Sequence, residues 1–210
     1  MHIQVYSDMV CPWCRIGMKN LADAIELWAD RTAEEITVSH HPFLLDPSLP
    51  PEGLPFKSSM QRKIGANLEE MLRRVAEAGA GVGLTFRFDR VTRMPNTVLA
   101  HSVTALLPEE QRPKWVEAIM TAYFEFGRDI AKQEVLMEVA TDTGLNAHQL
   151  ATQLKDGDGL AAVERDLEKA RAMGISGVPF FVVDGKFGLS GAYPAAEFVK
   201  AFEKISSNGA

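Results

Sequence analysis

Apolar positions recur along the chain with two different periods, and the switches between them divide it into elements. In His2–Tyr6 (HIQVY), Ile3 and Val5 alternate with more polar neighbours, as a strand does. Beyond it Cys14, Met18, Leu21, Ile25 and Trp28 recur every three or four residues, so one helix face is apolar. Ile36–His40 (ITVSH) reads as a second strand, and a strand reached through a helix predicts a parallel βαβ unit. His41–Phe56 follows, with five prolines and one glycine; it reads as irregular and marks a domain crossing.

After this crossing the helical period dominates. Met60, Ile64, Leu68, Met71 and Val75 form one stripe, which the glycines at 79, 81 and 83 should end. Leu84–Asp89 is a short extended stretch or loop. Helices are predicted over Asn96–Leu107, Lys114–Gly127, Gln133–Thr143 and Asn146–Leu154. Trp115, Ile119, Ala122 and Phe126 make the clearest stripe, and Asn146 is a natural N-cap. These methionine and aromatic stripes are read as helical core rather than as a cofactor box. A further helix spans Leu160–Met173. Phe180–Val183 (FFVV) is continuously apolar, as in a strand buried on both faces. Asp184-Gly185 then predicts a tight turn into Lys186–Ser190, giving a hairpin. Pro194–Ile205 closes the pattern as a helix with Phe198, Phe202 and Ile205 inward, and Ser206–Ala210 is expected to fray.

Setting aside residues 57–160 leaves β-α-β followed by α-β-β-α. That is the order of an α/β thioredoxin fold, built from residues 1–56 and 161–210, with an all-helical domain inserted at 57–160.

Composition narrows the function. With 46% hydrophobic and 24% charged residues, the 210-residue chain is an ordinary globular protein. A net charge of −6 and the lack of any basic run argue against nucleic acid as a main partner. No apolar stretch approaches the roughly 18 residues a bilayer requires, and Asp8 interrupts any apolar leader at the start, so no membrane partner is expected. The expected compartment is the cytoplasm, where a lone Cys-x-x-Cys is more often catalytic than structural.

Cys11 and Cys14 are the only cysteines, placed where strand becomes helix. A structural disulfide between them would close a very short loop, worth about 2 kcal/mol, and would tie no distant segments together. A closed zinc site needs four ligands, and the close pair His40-His41 would point to opposite faces of a strand. A redox pair fits the local physics better. Pro12 suits the first helical turn, where a missing N–H costs nothing. Cys11 would then be the exposed N-cap, facing free N–H groups and the positive end of the helix dipole, a setting that lowers a thiol pKa. Cys14, one turn further in, would resolve a mixed disulfide. Trp13 is read either as an exposed aromatic rim that contacts substrate or as packing against the insertion. Arg15 either assists the thiolate or is simply solvated. His40, His41, His101 and His148 suit surface or satisfied core positions better than catalysis.

Four stretches together resemble the DsbA-like thioredoxin superfamily, closest to its FrnE-type thiol oxidoreductases. They are DxxCPWCxxG (Asp8–Gly17), PFLLDPSLPPEG (Pro42–Gly53), PNTVLAH (Pro95–His101) and SGVPFFVVDGKFGLSGA (Ser176–Ala192). The resemblance implies a dithiol–disulfide centre at Cys11 and Cys14, a cis-proline at Pro179, and helices roofing the site. It makes Pro12, Trp13, Val178, Pro179 and Asn96 the expected substrate-binding residues. The backbone of Val178 would pair with an extended substrate. The roof is expected to present Trp13, Pro95, Asn96 and the methionine-bearing first inserted helix.

Kappa-class glutathione transferases and hydroxychromene-carboxylate isomerases resemble the chain at PNTVLAH and share the inserted architecture. They typically carry serine where Cys11 stands, and an Asp near the final helix; here Gly191–Pro194 (GAYP) has no acidic residue. Asn96 and Thr97 remain open between ligand binding and capping the helix after Pro95. The expectation is a thiol–disulfide oxidoreductase or isomerase acting on a protein disulfide or a small thiol. It requires no metal or organic cofactor, takes glutathione as a candidate redox partner, and leaves a homodimer open. A glutathione-dependent isomerase or transferase and a chaperone-like binding module are the alternatives.

Overall fold

The structure, a computed structural model, describes residues 1–208. Strand β1 (His2–Ser7) leads through Cys11 into helix α1 (Pro12–Ala29) and then β2 (Thr37–Pro42). After the proline-rich segment come β3 (Leu54–Pro55), α2 (Phe56–Ile64), α3 (Leu68–Ala80), β4 (Arg93–Met94), α4 (Val98–Leu106), α5 (Arg112–Phe124), α6 (Gln133–Asp142) and α7 (Ala147–Lys155). The chain closes with α8 (Asp158–Ala172), β5 (Phe180–Val183), β6 (Phe187–Ser190) and α9 (Ala195–Asn208).

The main sheet has the order β2-β1-β5-β6. β2 runs parallel to β1, while β5 is antiparallel to β1 and β6 to β5. The two-residue period sorts side chains between its faces. Ile3, Val5, Phe181 and Val183 join Leu21, Trp28, Phe198 and Phe202 of α1 and α9 in one core. Tyr6 and Val182 meet Ala170 and Ile175 on the other face. Asp184 and Gly185 both take positive φ at the centre of a turn closed by the Lys186 N–H on the Val183 carbonyl, within the three-residue connection between Val183 and Phe187.

Cys11, Cys14 and Ile16 belong to neither of these clusters. They are continuous with the core of the inserted helices, around Trp115, Ile119, Met120 and Phe124. The N-terminal end of α1 is therefore embedded in the insertion.

Several elements differ from the sequence pattern. The stripe Met60–Val75 is two helices, because a 3₁₀ turn at Gly65–Asn67 intervenes and Gly65 takes a positive φ that a side chain would disfavour. Helix α5 ends at Phe124, so Phe126 leaves the stripe and is 60% exposed. The following turn folds back through Gly127 N–H to Tyr123 O and Arg128 N–H to Ala122 O, which gives Phe124 the buried place. The proline-rich crossing is not wholly irregular, since Leu54–Pro55 pairs with Arg93–Met94. Ser206–Asn208, expected to fray, continue α9, while Gly209 and Ala210 lie outside the described residues. Asn146 caps α7 as expected, accepting from the Gln149 N–H.

Candidate functional site

Pro12 opens α1 and Cys11 is its N-cap, in extended conformation. The Cys14 N–H points back at the Cys11 Sγ, 3.3 Å away, as a capping side chain should receive it. Both residues are present as free thiols. The expectation of an exposed Cys11 is corrected: it is only 4% exposed, because the insertion closes over the helix end. Cys14 is fully enclosed, and burial, followed by its hydrogen bond with the Cys11 thiol, pushes its pKa well up.

Pro179 and Val178 approach from the turn before β5. The Val178–Pro179 peptide bond is cis. The Val178 carbonyl lies 3.8 Å from the Cys11 Sγ. Gly17 makes this approach feasible, since a Cβ there would lie 3.1 Å from the Pro179 ring and 3.2 Å from Phe181.

Above Cys11 lies a cavity of about 410 Å³. Its walls bring together Pro12, Trp13, Asn96 and Val178 with Met60, Ile64 and Met71 of the inserted helices. Pro95 joins them, as the expected roof required. Trp13 is 44% exposed and stands on the rim. The methionines of α2 and α3, read as core, are half-buried and face this cavity instead. The Asn96 side chain is committed to the fold: its amide donates to Leu49 O and accepts from the Val98 N–H. Thr97 is the N-cap residue of α4 and is buried.

Arg15 is not solvated. It is 2% exposed, 2.7 Å from both Glu117 and Glu125, and bonded to Thr121 and the Thr85 carbonyl. Its guanidinium joins α1 to α5 rather than facing Cys11.

Sequence reasoning missed a buried polar pair beneath the thiols. Asp8 takes the Cys11 N–H on its backbone oxygen and the Leu45 N–H on Oδ2. Its Oδ1 is 3.6 Å from His101 Nε2, and both atoms are buried without a hydrogen-bond partner. Asp8 stands in the DxxCPWC pattern, but nothing local announces that His101 from α4 meets it. Burial also pushes up the phenol of Tyr123, which donates to the Arg93 carbonyl. Among the described residues no group of three or more His, Cys, Asp or Glu could hold a metal ion. No helix among them is long and apolar enough to cross a membrane.

A dithiol at a helix N-cap, set against a proline entering an adjacent strand of a four-stranded sheet, defines a thioredoxin-type redox protein. Residues 2–203 match the DSBA-like thioredoxin domain family, and the chain belongs to it. It is 28% identical to a probable DsbA oxidoreductase from Streptomyces coelicolor, covering 99% of this chain and 90% of that one at a TM-score of 0.87. Two more distant structures share the fold. A 2-hydroxychromene-2-carboxylate isomerase is 12% identical over 100% of this chain and 98% of that one, with a TM-score of 0.75. The cytosolic disulfide reductase DsbM from Pseudomonas aeruginosa, solved with GSH, is 19% identical over 99% of this chain and 100% of that one, with a TM-score of 0.64.

Proposed function

We propose that this protein is a dithiol–disulfide oxidoreductase or isomerase of FrnE type, working in the cytoplasm with the Cys11–Cys14 pair. The observation that carries the reading is the position of the Cys11 Sγ. It caps α1, receives the Cys14 N–H and lies at the floor of the cavity beside Val178. The Cys11 thiolate attacks a substrate disulfide, and the departing thiolate takes a proton from solvent. Cys14 then gives up its proton and attacks the Cys11 sulfur, releasing the second substrate thiol. Two electrons pass to the substrate and the Cys11–Cys14 disulfide remains.

Among the described residues the Val178 N–H donates no hydrogen bond, which leaves it available to an extended substrate. Pro12, Trp13 and Pro179 shape the same docking edge. No metal or organic cofactor enters this chemistry. Glutathione, with which the cytosolic DsbM was solved, is one candidate for returning the pair to the dithiol, and a dithiol reductant is the other. Against a glutathione-dependent isomerase or transferase stand Cys11 in place of serine and the absence of an acidic residue in Gly191–Pro194.

Reduction of insulin with dithiothreitol supplied tests the reading. Wild type should accelerate it, Cys11→Ser should abolish the acceleration, and Cys14→Ser should accumulate a covalent mixed disulfide. Efficient glutathione conjugation with disulfides left untouched would replace this reading by the transferase one. Suppression of aggregation that survives loss of both cysteines, without either activity, would replace it by a binding module.

A further inference from the structure

The cavity over Cys11 is lined mostly by apolar side chains. At about 410 Å³ it is in the size range of sites for small organic molecules. The inserted helices contribute Met60, Ile64, Met71 and Val75 to its wall, and the segment after β2 contributes Leu45 and Leu49. Methionine side chains adapt to irregular apolar shapes.

Most polar groups around the cavity are engaged within the protein; the exceptions, Asp8 Oδ1 and the Thr97 hydroxyl, carry no positive charge. Its charged residues are Asp8, Asp46 and Lys63. Asp8 is buried and held by the Leu45 N–H. Lys63 is paired with Asp46, whose carboxyl it holds, with Ser48, below the usual range. Asn96 spends its amide on Leu49 and Val98, and Tyr123 its hydroxyl on Arg93. Among the described residues the one cation on this wall is Lys63, which is half-exposed and already paired with Asp46. Glutathione carries two carboxylates and an ammonium, and burying such groups unpaired is unfavourable.

We propose that the site selects low-molecular-weight disulfides bearing an uncharged apolar arm, over glutathione disulfide and other charged disulfides. This rests on the disulfide-exchange reading above. The arm occupies the cavity, and Cys11 attacks the sulfur that carries it. The S–S bond breaks, and the other half departs past Trp13 as a thiolate that takes a proton from water. A Cys11–arm mixed disulfide is left. Cys14 transfers its proton and displaces the arm as a thiol, closing the Cys11–Cys14 disulfide. Each substrate disulfide thus gains two electrons from the dithiol pair, and a dithiol reductant restores that pair.

The test is a series of uncharged symmetrical disulfides, diethyl, dipropyl and dibutyl, assayed with dithiothreitol beside glutathione disulfide and insulin. The aliphatic leaving thiols differ little in acidity, so the trend reports binding of the arm rather than leaving-group chemistry. kcat/KM should rise about threefold to fourfold per added methylene and exceed that for glutathione disulfide throughout. Met71→Lys places a cation on the wall, where the half-buried position lets the lysine stem lie along it. This variant should flatten the series and favour glutathione disulfide. A flat wild-type series, or faster turnover of glutathione disulfide, overturns the proposal while insulin reduction keeps the exchange reading intact. Failure of every disulfide to show Cys11-dependent turnover overturns both.

Discussion

Cys14 meets no water, and its thiol is pushed well above the ordinary range, first by burial and then by its hydrogen bond with Cys11. Cys11 is also covered, yet its sulfur borders the cavity and Cys14 does not. Since the thiolate is the reactive form, reduced protein treated with iodoacetamide should be labelled at Cys11 first. Peptide mass spectrometry of partial reactions should find Cys14 modified at least about tenfold more slowly. Equal rates would remove the division of labour between the two sulfurs. The spacing of the pair, its proline and the onset of a helical period were readable from residues within one turn of each other. The Asp8–His101 contact was not. It joins two segments far apart in sequence, and only the packing of α4 against the segment after β1 brings those side chains together.

Helix α1 is held on two sides by residues that look unremarkable in sequence. Arg15 fastens its first turn to α5 through Glu117, Thr121 and Glu125. Removing it leaves two carboxylates facing one another without a cation, so Arg15→Ala should cost about 3 kcal/mol, the low end for a buried pair because Glu117 is half-exposed. The urea midpoint would report that loss. Insulin reduction should fall with it, because the same bridge sets the insertion over Cys11. On the opposite side, Gly17 accommodates Pro179. Gly17→Ala gains about 1 kcal/mol of helix propensity against tight contacts at 3.1 and 3.2 Å, leaving stability near neutral. Gly17→Val adds methyls with nowhere to go and should cost about 1–3 kcal/mol, with slower disulfide exchange because Pro179 is displaced. Local periodicity sufficed to find most helices, because an amphipathic stripe is a property of neighbouring residues. It failed where backbone geometry intervened. Gly65 divides one stripe into two helices, and Gly127 turns the chain so that Phe124 rather than Phe126 is buried. A stripe cannot reveal either event, since Ile64 to Leu68 and Ala122 to Phe126 keep the helical spacing across the break.

Across the molecule, the sheet and the insertion share an edge at β2, where α8 and α5 pack, and two titrating groups there should make stability depend on pH. His40 on β2 has its Nδ1 enclosed without a hydrogen-bond partner. Burial, aided by His41 and Arg112, lowers its pKa from 6.5 to about 4. The unfolded chain therefore takes up this proton below pH 6.5, while the folded protein refuses it until about pH 4. Stability from the neutral ring is present above pH 6.5 and is lost as pH falls through that window, by at most about 3 kcal/mol. Asp166 of α8 behaves differently. Its hydrogen bond from His41, 3.1 Å away, together with that from Lys169, lowers its pKa from 3.8 to about 2. Its contribution is complete above pH 3.8 and disappears as pH falls through about 2. Urea unfolding from pH 7 to pH 2 should consequently show two successive losses of stability. His40→Leu should remove the slope between pH 6.5 and 4 while leaving the lower one, and Asp166→Asn should do the reverse. A single acid transition, unmoved by either substitution, would show that this edge does not govern the acid response.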